Sequence, residues 1–300
     1  MLESQYTIRR ILFATDFLAS SQLALDYAVA FAQHFKATIV MLHAVELPSP
    51  ARAAETETHR PSVSRWQLMD RLETVAIGVR NSGISVETYV EEGVPSDVIL
   101  HAIHSHSADL LVLGIHGVHR GISHLLIGSN MEKILLAATC PTMTVGAKVL
   151  TGIDPTLHLN EILYFNDFTP EAAAAAPYAA FLANEFNVPI DVCESLPESS
   201  DSTLHLRQNL ANEEHITSSR RGAGSKSVQS RPSFQLERGM EFDQIIERAE
   251  EFRAGIIVLG VQTPSNLSRH LHTSFAYRLL SKASCPVLTV RHNSSNHGPN

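Results

Sequence analysis

A chain of 300 residues has room for two domains of ordinary size, each able to bury its own core. Its hydrophobic content of 44% and charged fraction of 18% are those of a globular protein, and a formal net charge of -8 excludes a general nucleic-acid binder, which relies on clustered Lys and Arg. No apolar run is long enough to span a bilayer and Met1 to Arg10 lack the apolar core of a secretory signal, so we expect a cytoplasmic protein.

Arg9 to Asp16 reads as a short buried strand ending on a polar residue. Ser20 and Ser21 then offer a cap to a helix over Gln22 to Phe35, in which Leu25, Ala28, Val29, Ala32 and Phe35 recur at helical spacing. Asp16 falls at the carboxyl edge of the sheet, where open α/β folds bind ligands, and two readings stand: a turn residue or a group beside a ligand. Ala37 to Val45 is apolar nearly throughout, as befits a strand covered on both faces, and His43 reads as a structural residue near its end. Pro48 to Pro61 is a polar, proline-punctuated connection. From Val63 to Arg80 the spacing is helical, with Leu68, Leu72, Val75, Ala76 and Val79 on one face and Asn81-Ser82-Gly83 as the stop; Trp66 reads as a packing residue. A strand over Ile84 to Val90, a turn at Gly93-Val94-Pro95 and a helix to Ser107 follow. On that helix His101 and His104 share a face while His106 points elsewhere, and no Cys or carboxylate pattern completes a metal site, so we expect surface histidines.

Leu110 to Leu113 is an apolar run of the kind that forms a buried parallel strand, and Met131 to Ala138 has helical spacing. Between them lies Gly114-Ile-His-Gly-Val-His-Arg-Gly-Ile-Ser-His-Leu-Leu-Ile-Gly-Ser-Asn130. A glycine loop joining a strand end to a helix start suits an anion, because glycines let the backbone come close and the free N–H groups of the helix point at the charge. Ser129 sits where a helix N-cap is expected, and its hydroxyl serves either the helix or a phosphate oxygen. His119 and His124 read as loop and helix-edge residues. With a last strand at Thr142 to Val145, the alternation of strands and helices predicts a parallel sheet covered on both faces.

After a connector from Gly146 to Leu159 the pattern starts again. Ile11-Leu-Phe-Ala-Thr-Asp-Phe17 is echoed by Ile162-Leu-Tyr-Phe-Asn-Asp-Phe168, Leu111-Val-Leu-Gly114 by Ile257-Val-Leu-Gly260, and Cys140-Pro-Thr-Met-Thr-Val145 by Cys285-Pro-Val-Leu-Thr-Val290. Three ordered matches indicate a duplicated domain. Cys140, Cys193 and Cys285, widely spaced and without a CxxC pair, suit reduced and mostly buried thiols. The polar, Ser-rich stretch 194–231 reads as a flexible insertion; its Gly222-Ala-Gly-Ser-Lys-Ser227 has the wrong spacing for a Walker loop and no strand before it. Residues 293–300 read as a disordered tail.

At Gly114, Gly117 and Gly128-Ser129 the chain resembles the nucleotide-binding members of the universal stress protein family, which carry glycine, two residues, glycine, nine residues, then Gly-Ser or Gly-Thr. Here ten residues separate Gly117 from Gly128, an addition that a bulge in the loop absorbs. The resemblance implies two tandem α/β domains with open, parallel, Rossmann-like sheets of the adenine nucleotide alpha hydrolase-like kind, at 1–148 and 158–292. It implies ATP or a related adenine nucleotide in the first domain, with Mg or Mn held by phosphates and water. The implied nucleotide-binding set is Ala14, Thr15, Asp16, Ala44, Leu113, Gly114, His116, Gly117, Gly128, Ser129, Asn130 and Met131. Adenosine falls beside Asp16 and Ala44, ribose near Gly114, and phosphates along Gly117, Gly128, Ser129 and the N–H groups of Asn130 and Met131.

No general base or nucleophile is evident in the loop, so we expect a stress-response switch or regulator with at most slow ATP hydrolysis. The alternative is a nucleotide-free universal stress protein acting as a scaffold or partner-binding module. An enzyme of a related adenylyltransferase or ATP pyrophosphatase family ranks last, since Ala14 to Ser20 forms neither phosphate motif. The second copy keeps Gly260 but has Thr263-Pro264 and Thr273-Ser274 at the later glycine positions, so we expect it to bind nucleotide poorly, with Asp167 kept as a turn residue. By analogy with paired relatives, Met143 to Val145 and Leu288 to Val290 are expected to pair within the chain as an internal pseudo-dimer. Protein partners and a further homodimer fit this reading; nucleic acid and membrane do not.

Overall fold

The computed structural model describes residues 6–46, 64–115, 129–146, 148–149, 159–194, 236–238, 242–251, 253–261 and 272–292. The first half comprises β1 (Arg10–Ala14), α1 (Ala19–Phe35), β2 (Thr38–Val45), α2 (Arg65–Arg80), β3 (Val86–Glu92), α3 (Pro95–Ser105), β4 (Leu110–Ile115), α4 (Ser129–Ala137) and β5 (Thr142–Gly146). The second comprises β6 (Ile162–Asn166), α5 (Pro170–Phe186), β7 (Ile190–Glu194), β8 (Leu236–Arg238), α6 (Phe242–Glu251), β9 (Ile256–Val261), α7 (His272–Lys282) and β10 (Val287–Arg291).

All ten strands form one sheet, in the order β3-β2-β1-β4-β5-β10-β9-β6-β7-β8. Among the described residues every strand pairing within a half is parallel, as crossover connections require. The halves meet through β5 and β10, the one antiparallel pair among the described residues, with Thr142 opposite Thr289, Met143 opposite Leu288 and Thr144 opposite Val287. Two threonine hydroxyls seal the junction reciprocally: Thr144 Oγ1 donates to Val287 O and Thr289 Oγ1 to Thr142 O, each at 3.1 Å. The internal pseudo-dimer expected from the repeated strands is thus present.

Strand alternation sorts the core into faces. Ile11 and Phe13 of β1 point to one side, into a cluster with Phe31 of α1 and Leu72 and Ala76 of α2. Leu12 and Ala14 point to the other, into a cluster with Ile99 and Ile103 of α3 and Ile134 of α4. The first cluster runs on into the second half through Leu288, Val290, Phe181 and Leu182. There α1 and α5 pack by their rings, with Phe31 and Phe186 at 5.6 Å, Phe35 and Phe181 at 5.7 Å, and His34 stacked on Phe186 at 4.2 Å.

Several local expectations are corrected. Ser20 and Ser21 do not cap α1: the helix begins at Ala19, its N-cap Leu18 makes no side-chain bond, and both serines are buried in the first turn. Trp66 does not pack; it is 74% exposed, out of phase with the buried stripe Leu72, Ala76 and Val79, while Ser64 and Gln67 form a capping box before it. The segments 47–63, 195–235 and 293–300 lie outside the described residues, so the expected connection, most of the insertion and the tail are not described. Among the described residues no helix is long and apolar enough to cross a membrane.

Candidate functional site

β1 and β4 are neighbours, and the chain crosses from β1 to β2 on one side and from β4 to β5 on the other. That arrangement opens a crevice at the carboxyl edge, the place where open α/β sheets take ligands. Ala14, the last residue of β1, lies opposite both Leu42 and Leu113, so β2 and β4 run on past the end of β1, to Val45 and Ile115. Ala14 and Leu113 belong to one apolar cluster with residues of α3 and α4, and Ala44 and Met131 pack against it. The amino ends of α3 and α4 are tied together by an ion pair between Lys133 Nζ and Asp97. Asn130 and Met131 lie in the first turn of α4, where backbone N–H groups have no helical acceptor.

Asp16 acts first on its own turn. Its Oδ1 accepts the Leu18 N–H at 3.0 Å and the Ser21 hydroxyl at 2.5 Å. Phe17 between them has a left-handed φ of 63°, and Phe168 repeats this at 60° in the second half. Thr15 projects to the opposite side of the sheet from Ala14. Its Oγ1 accepts the Phe17 N–H at 2.9 Å, so its hydroxyl serves the turn. His43 Nδ1 lies 2.7 Å from Thr15 O; a carbonyl only accepts, so Nδ1 carries the proton. The ring also lies tilted against that of Phe17 at 4.5 Å, with the Arg71 guanidinium over the Phe17 ring at 4.4 Å, which gives His43 the structural role expected of it.

Gly114 follows Leu113 in β4, and its lack of a side chain has a measurable cause. A Cβ there would lie 2.4 Å from Ser20 C and O and 2.6 Å from Ser21 N. The first turn of α1 therefore rests directly on β4. His116, Gly117 and Gly128 lie outside the described residues, as does the side chain of Ser129, whose backbone opens α4. Histidines His101 and His104 are exposed on α3, and the His106 ring lies 4.3 Å from that of Tyr89. Among the described residues no group of three or more His, Cys, Asp or Glu is placed to hold a metal ion.

One buried polar residue at the start of α3 was not singled out from the sequence. Ser96, in the first turn of α3, is 1% exposed and its Oγ has no hydrogen-bond partner. A serine just after Val94-Pro95 looks like ordinary helix-start chemistry, and only the packing reveals that it points inward.

The equivalent place in the second half is filled differently. Phe165 stands where Ala14 stands, 6% exposed and packed with Ile245, Leu259 and Ala276. Asn166 Oδ1 accepts the Phe168 N–H at 3.0 Å, repeating the turn bond of Thr15. Asp167 Oδ1 accepts from Thr169 N–H and Oγ1 at 3.1 and 2.5 Å, the turn role expected of it.

Comparison with known proteins agrees with this duplicated architecture. The sequence pattern of the universal stress protein family matches residues 7–146 and again 159–291. A universal stress protein of Methanocaldococcus jannaschii is 27% identical over 146 residues, covering 46% of this chain and 81% of the relative. Universal stress protein A homolog 1 of Coxiella burnetii is 29% identical over 148 residues, covering 47% of this chain and 97% of the relative. In fold, a universal stress protein of Archaeoglobus fulgidus superposes with a TM-score of 0.70 at 20% identity, over 95% of this chain and 98% of that one.

Proposed function

The chain belongs to the universal stress protein family, and from that premise we propose that its first half binds ATP or a related adenine nucleotide and works as a nucleotide-dependent switch. One observation supports this most: Ala14, Ala44, Leu113 and Met131 meet in one apolar cluster with the helices α3 and α4, whose amino ends follow the carboxyl edge of the sheet. A flat base needs such an apolar surface, and a polyphosphate needs such helix ends. In this reading the base lies on that surface, with Asp16 and Thr15 shaping the turn beside it. The ribose lies near Gly114 and His116, and the phosphates run along Gly117, Gly128, Ser129 and the N–H groups of Asn130 and Met131. Mg²⁺ or Mn²⁺ is then held by phosphate oxygens and water.

The described polar groups at the crevice favour holding a ligand over turning it over. Asp16 Oδ1 and His43 Nδ1 are engaged within the fold, and neither stands in a base-nucleophile pair. Occupancy of the glycine loop would change the surface offered to a protein partner, as a shift between populations. The second half is a companion without a site of its own, because the bulky Phe165 takes the place of Ala14 there.

Isothermal titration of nucleotide-stripped chain with ATP and Mg²⁺ tests this. We expect about one equivalent bound at micromolar or tighter affinity, and no binding by Gly117→Val, whose side chain blocks the phosphate path. Absence of binding by the unaltered chain would instead make it a partner-binding scaffold.

A further inference from the structure

We infer that Ser96 is the polar contact for the base: its hydroxyl accepts a hydrogen bond from the exocyclic amine of adenine. The inference rests on the nucleotide reading above and names a residue that neither the glycine pattern nor the strand ends point to. A buried hydroxyl without a partner carries a desolvation penalty, and in a folded protein such an atom calls for a reason. Ser96 is 1% exposed and its Oγ is one of these.

Its direction follows from helix geometry. Positions 96, 99 and 103 share a face of α3, and Ile99 and Ile103 belong to the cluster that contains Ala14, Ala44, Leu113 and Met131. Ser96 therefore extends the apolar stripe of α3 by one turn toward the carboxyl edge and ends it with a hydroxyl. The start of α3 lies against the end of β2. The Gly93 N–H donates to Val45 O at 3.0 Å, which ties the start of α3 to the residue next to Ala44. With the base on Ala44 and the phosphates on α4, the side of the site facing Ser96 is the base edge.

The chain also supplies an internal comparison. Gly93-Val-Pro-Ser-Asp97 corresponds to Gly239-Met-Glu-Phe-Asp243, in which the glycine and aspartate keep their places and Phe242, the first residue of α6, takes that of Ser96. Ala14 is likewise replaced by Phe165. The half with the glycine loop has a small residue and a hydroxyl at the two places where the half without it has phenylalanines. A serine kept only for its turn would have no cause to change together with Ala14.

The test is a cycle of two proteins and two ligands, by calorimetry on the full chain. The ligands are ATP and purine riboside triphosphate, which lacks the exocyclic amine and is otherwise the same. For the unaltered chain, loss of the amine should weaken binding about tenfold, the scale of one hydrogen bond in a dry site. Ser96→Ala should weaken ATP by a similar factor, leave purine riboside triphosphate unchanged, and leave the melting temperature of the ligand-free chain at or above its original value. Equal weakening of both ligands, unchanged ATP affinity, or a ligand-free chain that melts earlier would each overturn the contact while leaving nucleotide binding intact. If the unaltered chain binds neither triphosphate, the nucleotide reading itself fails and this inference with it.

Discussion

Gly114 and Gly260 show that one residue type in one motif can answer to packing before it answers to a ligand. A Cβ on Gly260 would lie 2.1 Å from Glu171 C and 2.2 Å from its oxygen, the counterpart of the overlap that Gly114 avoids at Ser20. The second half lacks the later glycines of the loop, yet it keeps this one and the same rest of helix on strand. The first glycine thus lets the helix after the first strand of each half descend onto the sheet. Ala substitution forces backbone against backbone, which cannot be relieved by a rotamer change, so Gly114→Ala and Gly260→Ala should each cost about 2 kcal/mol or more. Thermal melting should show both variants several degrees below the parent chain; if Gly260→Ala melts with the parent, the packing account is wrong. The sequence reading gave Gly114 to the close approach of a nucleotide because a string of letters shows a glycine but not what rests on it.

Among the elements, α6 is docked by a buried charge cluster at the amino edge of the second half. Arg248 Nε meets Asp191 Oδ2 at 2.8 Å, beneath the apolar contact of Ile245 and Ala249. Glu161, just before β6, is also buried, and its carboxyl is held above the ordinary value of 4.5, first by burial and then by the Asp191 charge, with Arg248 opposing. A carboxyl raised on folding grips its proton more tightly in the folded chain. Its contribution is complete below the unfolded value and is lost as pH rises through the folded one, so ionised Glu161 weakens the fold at neutral pH. Glu161→Gln keeps the shape without the charge. We expect it to melt higher than the parent at pH 7, with the gain vanishing below about pH 4.5; a variant that melts lower at pH 7 would show that Glu161 is held in a net favourable pairing. Strands and helices were legible because apolar periodicity records which face is covered, as in Leu110 to Leu113 and Leu72 to Val79. Glu161, Asp191 and Ser96 were not, because their partners or their lack of them depend on elements far away in sequence.

On the scale of the whole molecule, the second copy completes the first. Without β10 the strand β5 would present Thr142, Met143 and Thr144 as an open edge, and without α5 the rings of Phe31 and Phe35 would lose Phe186 and Phe181. The second half also reaches the helix that begins at the proposed phosphate site: Arg291 Nη1 donates to Leu136 O at 3.1 Å, at the carboxyl end of α4, where a cation offsets the helix dipole. The junction is built from equivalent residues, since Thr144 with Val287 and Thr289 with Thr142 repeat one bond about a pseudo-two-fold axis. A first half on its own can therefore replace β10 with the β5 of a second copy, the threonine hydroxyl of each copy bonding to the other. A chain ending at Lys148 should run at twice its own mass by light scattering at micromolar concentration, whereas the full chain already has β5 paired. A stable monomeric half would mean that the duplicated strand is not what holds the architecture together, and that the α1–α5 ring contacts and the reach of Arg291 alone must justify keeping a half in which Phe165 takes the place of Ala14.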